Sequence, residues 1–246
     1  MISQPSSQAL VSADVPASLI RPSRVLDARA LHLLIAAILA VLLTSESGAA
    51  FPAPPVTRAE ALAALQSPQE PARAEAIAWL AELGTMADAP LLQARLRDES
   101  ALVRGYAEQG LWRLWTRSGD PAIDARMAHG SQALEAGLLD EAIYDFTSII
   151  RAKPEFAEGW NRRATAYFAA GDYARSIADC AEVLKRNPGH FGALSGLGQI
   201  YVKLERYQEA LRWFRRALAV NPNMASVELA IRQIEERLRE KRQNLI

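Results

Sequence analysis

Residues 157–190 read AEGWNRRATAYFAAGDYARSIADCAEVLKRNPGH, and residues 191–224 read FGALSGLGQIYVKLERYQEALRWFRRALAVNPNM. Both segments place small and aromatic residues at the same positions and carry an Asn-Pro pair, and these pairs lie 34 residues apart. A period of this length is typical of a helix-turn-helix unit, in which two short helices pack against each other. Because one such unit buries little apolar surface on its own, successive units stack, and the pattern predicts an all-α solenoid.

A third copy precedes these two at residues 123–156 and contains Pro154 at the matching position. In every copy a small residue lies where the two helices are predicted to cross, and a proline ends the second helix because it has no amide hydrogen to donate. The crossing residues are Gly130, Ala164 and Gly198. Residues 225–244 are amphipathic and are predicted to form a helix that caps the last unit.

Three copies in register resemble the tetratricopeptide repeat family. The resemblance implies an array over residues 123–244, built from units 123–156, 157–190 and 191–224 with the capping helix 225–244. It also implies that the first helix of each unit lines a concave groove that holds a peptide or helix of a partner protein. The matching groove positions are Asp124, Met127, Ser131, Leu134 and Glu135, then Glu158, Asn161, Thr165, Phe168 and Ala169, then Gly192, Ser195, Gln199, Val202 and Lys203.

Two alternatives bear on this groove. Leu134 and Phe168 can instead pack against the second helices of their own units. Some members of the family use a clamp of Lys, Asn and Arg for the acidic C-terminus of a chaperone. Met127 and Ser131 stand where the first Lys and Asn of that clamp would be, so this partner is disfavoured.

Residues 57–118 show a second helical pattern, with a period near 31 that aligns Arg73 with Arg104 and Ser67 with Asp98. This pattern resembles the HEAT-like repeat, in which an acidic residue between the helices pairs with an arginine early in the second helix. The resemblance implies that Asp98 pairs with Arg104 and that this pair holds the turn between the helices. In the first copy Arg73 would hold the turn, and Ser67 replaces the acid. Alanine-rich amphipathic hairpins of no named family are the alternative.

Residues 118–121, Ser-Gly-Asp-Pro, form the strongest break between these two helical segments. This break is too short to act as a flexible linker, so the segments are predicted to pack against each other. The face that carries Trp112 and Trp115 is the predicted contact. Two HEAT-like pairs, three tetratricopeptide units and the cap would then stack as one continuous curved rod of about eleven helices.

Residues 1–50 have the pattern of a signal peptide, with arginines before the apolar run Leu31–Leu43 and small residues after it. Cleavage is expected after Ala49 or Ala50, followed by a proline-rich spacer at 51–56. The exported protein of bacterial type would be periplasmic or secreted. The apolar run is shorter than the roughly 20 residues of a spanning helix. A retained anchor in the inner membrane is nevertheless the alternative.

The composition favours an interaction protein over an enzyme. Lys and Arg number 28, as do Asp and Glu, so no net charge attracts nucleic acid. The one cysteine, Cys180, is predicted to be a buried inert thiol, while His129 is predicted to be structural and His190 to start a helix. No pattern of metal ligands or catalytic residues is present. We therefore expect no catalysis, no cofactor and no small-molecule substrate.

The expected function is a non-enzymatic scaffold of the cell envelope whose partner is a protein or peptide. The alternative is a membrane-anchored assembly factor with an uncleaved N-terminal helix, and only in that case would the membrane itself be a partner.

Overall fold

The computed structural model describes residues 54–243, which contain helices, turns and connecting segments and no strand. The predicted all-α class is therefore confirmed. The helices are α1 Arg58–Ala64, α2 Glu70–Leu83, α3 Ala89–Arg95, α4 Ala101–Thr116, α5 Pro121–Glu135, α6 Leu139–Ala152, α7 Ala157–Ala169, α8 Tyr173–Arg186, α9 Phe191–Lys203, α10 Tyr207–Val220 and α11 Ala225–Gln243, with a short 3-10 turn at Met86–Asp88 before α3.

Helices α5 to α11 form the repeat array. The pairs α5/α6, α7/α8 and α9/α10 pack most closely within each unit, and α7 also packs against α6, as the stacking of units requires. Helices α7 and α9 start 34 residues apart, at Ala157 and Phe191, which confirms the period read from the sequence. Helix α11 packs on α10 and buries Val227 and Ile234 against it, so the predicted cap is also confirmed.

The close crossing of the two helices within a unit explains the small residues there. A Cβ atom on Gly130 would lie 2.8 Å from the ring of Phe146, and one on Gly198 would overlap the ring of Phe214. These separations, 2.8 Å from Phe146 and 2.4 Å from Phe214, are shorter than two carbon atoms tolerate. A larger residue at Gly130 or Gly198 would therefore require the facing ring to move.

A left-handed residue reverses the chain between the two helices of each unit. Gly137 and Gly171 both have φ of 76°, and Glu205, at the matching position of the third unit, has φ of 58°. Glycine adopts this conformation without steric cost, whereas a residue with a Cβ atom is strained in it. The third unit therefore holds its turn at some cost in stability.

Helices α1 to α4 form the N-terminal helical half, with a core that includes Ile77, Leu80 and Leu111. The ion pair expected between Asp98 and Arg104 is wrong. Asp98 instead accepts two hydrogen bonds from Arg73, at 2.9 and 2.7 Å, and this pair is almost fully buried. Because the acid of the second helix pair reaches back to the arginine of the first, it joins the two pairs.

Arg104 has different partners. Its guanidinium donates to the carbonyl oxygens of Asp98 and Glu99, at 2.9 and 3.0 Å, and to Oδ1 of Asn223 at 2.9 Å. The arginine therefore holds its own turn through backbone carbonyls and at the same time binds the repeat array.

The two halves do not continue as one stack, which corrects the expected rod. Arg97 donates to the carbonyl oxygens of Ala219 and Val220, although α4 is next to the first unit in the sequence. At the other end of α4, the side chain of Lys153 donates to the carbonyl oxygen of Ser118 at 2.5 Å. Helix α4 thus runs back along the turns that connect the units, from the third unit to the first.

No helix within residues 54–243 is long and apolar enough to cross a membrane. The predicted signal peptide at 1–50, the run Leu31–Leu43 and the start of the spacer lie outside the described residues. Residues 54–56 of the spacer form no helix, as predicted.

Candidate functional site

The predicted groove residues lie on α5, α7 and α9 and differ widely in exposure. Asp124, Glu135, Thr165, Ala169, Gln199 and Lys203 are exposed, while Ser131, Leu134, Asn161, Phe168, Gly192 and Val202 are half-buried, and Met127, Glu158 and Ser195 are buried. The structure therefore brings part of the predicted set to the surface and places the rest in contacts within the chain.

The apolar members of the set pack inside the protein. Leu134 packs against the core of the first unit, which contains Phe146 of α6. The ring of Phe168 lies 5.8 Å from that of Tyr173, at the start of α8. Val202 packs against the core around α10 and α11. These contacts favour the alternative in which such side chains support their own units, and they leave a groove that is mainly polar.

One row of the groove remains open along all three units. Ser131, Thr165 and Gln199 occupy the same position in the three copies, and each is exposed or half-buried. We call these three residues the groove row. The Gln199 side chain makes no hydrogen bond within residues 54–243, and neither does that of Lys203 one turn further along α9. Within residues 54–243 the side chain of Ser131 likewise makes no hydrogen bond, whereas the hydroxyl of Thr165 donates to the backbone carbonyl of Asn161 at 3.0 Å.

Two of the residues at the start of the three first helices, Asp124 and Gly192, are engaged by the N-terminal helical half and its connection. Asp124 accepts hydrogen bonds from the hydroxyl and the amide of Ser118, at 2.5 and 3.1 Å. The ring of Trp112 covers Gly192 so closely that a Cβ atom there would collide with it. At Asp124 and Gly192 the beginning of the groove is therefore already in contact with residues from outside the repeats.

Glu158, at the same position of the second unit, is buried completely. It accepts hydrogen bonds from Nε of Arg162 at 2.7 Å and from Nδ2 of Asn161 at 3.1 Å, and its Oε2 lies 3.2 Å from Nε2 of His190. Burial opposes ionisation of this carboxyl group. Hydrogen bonds from His190 and Arg162, together with the positive charge of Arg162, outweigh it, so the pKa of Glu158 is lowered and the group is ionised at neutral pH.

His190 links this carboxylate to the interface between the halves. The residue is the N-cap of α9, since its Nδ1 accepts a hydrogen bond from the amide of Ala193 at 3.0 Å, which confirms the predicted helix start. With Nδ1 acting as acceptor, the ring proton lies on Nε2 and points to Glu158. One imidazole therefore contacts both the buried carboxylate of Glu158 and the first turn of α9.

Aromatic rings of α4 enclose that imidazole. Trp115 stacks on His190, and its ring centroid lies 4.9 Å from that of Phe191. Trp112 meets Phe191 edge to face with 5.3 Å between centroids. Because these rings are nearly or partly excluded from water, the predicted contact through Trp112 and Trp115 is confirmed.

An open cleft lies where α2, α4 and α7 meet, and we call it the junction cleft. Its volume is about 390 Å³. Its lining combines small and aromatic residues with two arginines, Arg113 of α4 and Arg162 of α7. Sequence reasoning missed this cleft, because the register in which α4 lies on the repeat array is not encoded in either period. The lining residues are Ala78, Ala81, Tyr106, Gln109, Gly110, Trp112, Arg113, Thr116 and Arg162.

His129 and Cys180, the other two residues with reactive side chains, are held in contacts within the protein. Nδ1 of His129 lies 2.5 Å from Asp145, whose hydrogen bond raises the pKa of His129. Cys180 is buried as predicted, and burial raises its pKa to about 12. Among residues 54–243, no group of three His, Cys, Asp or Glu side chains is placed to hold a metal ion.

Comparison with known families identifies the repeat. The sequence model of the tetratricopeptide repeat matches residues 127–189 and 161–225. A TPR repeat-containing protein of Rhizobium etli is 34% identical over 124 residues, which cover 50% of this chain and 61% of that protein. Sperm-associated antigen 1 of Mus musculus is 27% identical over 110 residues, which cover 45% of this chain and 12% of that protein. The chain thus spans less than two thirds of either relative.

Among solved structures, the first TPR of Spaghetti, bound to an HSP90 peptide, is 27% identical in sequence with a TM-score of 0.45. The match covers 47% of this chain and 92% of that one.

Proposed function

Since residues 127–225 are tetratricopeptide repeats, we propose that the helices α5 to α11 hold an extended segment of a partner protein against the groove row. The observation that carries this proposal is the groove row itself, which is polar and accessible in all three units. Side chains of this kind bind the backbone amides and carbonyls of an extended peptide.

The spacing of the groove row fits such a segment. Neighbouring helices in packed arrays stand on the order of 10 Å apart. An extended chain rises about 3.3 Å per residue, so consecutive units would meet every third residue of the partner. Lys203 adds a free positive charge at the end of this row, where a carboxylate or carbonyl of the partner would bind it.

Capture of the partner tests this proposal. The full chain, with a C-terminal tag, is used to recover proteins from an envelope fraction, and specific partners are identified by mass spectrometry. We expect the double substitution Thr165→Arg with Gln199→Arg to abolish capture because two bulky charges fill the groove row. The matched control is Gln208→Arg, an exposed position on α10. Retention of every specific partner by the double variant would exclude the groove.

We also propose that the protein acts in the cell envelope after export. The apolar run Leu31–Leu43 with small residues up to Ala50 supports this location. Intact-mass measurement of the protein from its native host decides between export and anchoring. A mature chain that starts near Ala50 supports export, whereas a chain that retains the apolar run supports the anchored assembly factor.

The N-terminal helical half would then serve as a built-in support of the groove. We propose that it is a HEAT-like element, and the packing of its helices as two successive pairs, α1 on α2 and α3 on α4, supports this assignment.

A further inference from the structure

We propose that the junction cleft binds an acidic side chain of the partner, next to a bulky apolar side chain of the same segment. The inference rests on the proposed function as a protein-interaction module and specifies the chemistry of the partner. It concerns the arginines of α4 and α7 and not the groove row.

The floor and walls of the junction cleft suit an apolar side chain. Ala78, Ala81 and Gly110 are small, so no bulky side chain fills the cleft from below. Tyr106 and Trp112 supply aromatic walls. The volume of about 390 Å³ lies within the range of sites that hold small ligands or single side chains. Tyr106 remains 41% exposed, so a partner that covered its ring would bury additional apolar surface.

Arg162 is held in place at the edge of this cleft. Its Nε donates to Glu158, which is wholly buried, while its two terminal nitrogens make no hydrogen bond within residues 54–243. Burying a carboxylate is costly in free energy unless it gains strong partners. In this site the buried Glu158 fixes the orientation of the guanidinium, which leaves paired donors to face an incoming carboxylate.

Arg113 supplies the second guanidinium from α4. Its Nε lies 3.2 Å from Oε2 of Glu82, and both side chains are largely exposed, at 67% and 60%. An ion pair in this setting contributes little to stability because water screens it. A partner carboxylate can therefore replace Glu82 or share the guanidinium with it at low cost.

The local charge balance favours a carboxylate over a phosphate. Glu82 and Glu158 offset the charges of Arg113 and Arg162, so the cleft has no surplus positive charge to compensate a dianion. A monovalent carboxylate adds half the negative charge of a dianion and still gains charge-assisted hydrogen bonds from the planar guanidinium groups.

Fluorescence anisotropy with the full chain tests the proposal. The probe is a fluorescein-labelled, C-amidated pentapeptide of sequence Asp-Glu-Phe-Asp-Glu, and the control probe is Asn-Gln-Phe-Asn-Gln. We expect saturable binding of the acidic peptide, with a Kd at least about tenfold higher for the neutral one, since charge-assisted hydrogen bonds are lost. No binding at millimolar protein, or equal binding of both peptides, overturns the proposal.

Substitutions then locate the site. Arg113→Ala, at an exposed position that leaves the core intact, is expected to raise the Kd about fivefold or more. Arg162→Ala should do the same, with circular dichroism to check the fold. Arg212→Ala removes an exposed arginine of α10 and should change the Kd less than about twofold. Equal effects of Arg113→Ala and Arg212→Ala would mean nonspecific charge attraction and contradict the site.

This outcome is separable from failure of the proposed function. If Thr165→Arg with Gln199→Arg abolishes partner capture while Arg113→Ala leaves peptide binding unchanged, the groove function stands and the cleft proposal fails.

Discussion

The imidazole of His190 stacks on the indole of Trp115 with 4.4 Å between the ring centroids and 23° between the ring planes. The contact joins the helix that precedes the repeat array to the first residue before α9. It holds α4 against the array at His190, whose other ring nitrogen lies 3.2 Å from the buried carboxylate of Glu158. One side of the groove is therefore built by a helix from outside the repeats.

Loss of the Trp115 ring should destabilise the whole described fold. Trp115→Ala removes a buried ring that packs on His190 and Phe191, so we expect the free energy of unfolding to fall by about 3–5 kcal/mol in urea titrations. Tyr144→Ala, at a side chain 67% exposed, is the control and should change stability by less than about 0.5 kcal/mol. If the two variants lose the same amount, the ring cluster does not hold the halves together.

Asn223 should be the main polar contact between the halves. Its side chain accepts from Arg104 and donates to the carbonyl of Leu96 at 2.8 Å. Asn223→Ala removes the partner of the Arg104 Nε and of the Leu96 carbonyl, so we expect a loss of about 2 kcal/mol and faster hydrogen exchange in the turn after α3. Gln208→Ala provides an exposed control on α10. Unchanged exchange near Leu96 would show that this bond does not fix the docking.

Relief of the strained turn at Glu205 should stabilise the protein. Glu205 has φ of 58° where the other two units have glycine. Glu205→Gly removes the steric strain but increases the entropy of the unfolded chain, so the net gain is about 0.5–1 kcal/mol. The reciprocal substitution Gly171→Ala should reduce stability. Thermal unfolding measures both, and a lower Tm for Glu205→Gly would contradict the strained geometry.

Acid should weaken the fold through its buried carboxylates. The lowered pKa values of Glu158 and Asp98 mean that the stability they provide is complete above their unfolded values, near 4, and is lost as the pH falls through the folded values.

His129 has a raised pKa, so the stability from its pair with Asp145 is present below about 6.5 and is lost as the pH rises through the folded value.

Glu158→Gln isolates the buried carboxylate. The variant should be less stable than the wild type at pH 7, but it should lose less stability between pH 5 and pH 3, since it has no proton to bind there. Glu236→Gln, at an exposed position on α11, should keep the wild-type pH profile. Identical acid dependence in the wild type and Glu158→Gln would show that this carboxylate does not contribute.

The array was predictable from the sequence because each position in its 34-residue period has a local physical reason. Gly130 and Gly198 must be small where helices cross, and the aromatic residues fill the gaps between units. The docking face was also predictable, since Trp112 and Trp115 are large apolar rings next to a short break.

The register of docking was not predictable, because it depends on contacts between residues far apart in the chain. Glu158 occupies a position that lines the groove in the repeat pattern, yet its side chain is fully buried and is paired with Arg162 and His190. The partner of Asp98 was missed for a related reason. The HEAT-like resemblance implied Arg104 of the same helix pair, whereas the carboxylate reaches the preceding pair and binds Arg73. The junction cleft was missed for the same reason, because it forms only where α2 and α4 lie against α7.

Site-specific photocrosslinking tests the central claim, that a partner segment lies on the groove row, most directly. A benzophenone amino acid is placed at Gln199 of the full chain in its native host, and in a second strain at Gln208, which is equally exposed on α10. If a partner segment lies on the groove row, irradiation joins a specific protein to the chain from position 199 and not from position 208. A specific crosslink only from position 208, or equal crosslinks from both positions, would contradict it.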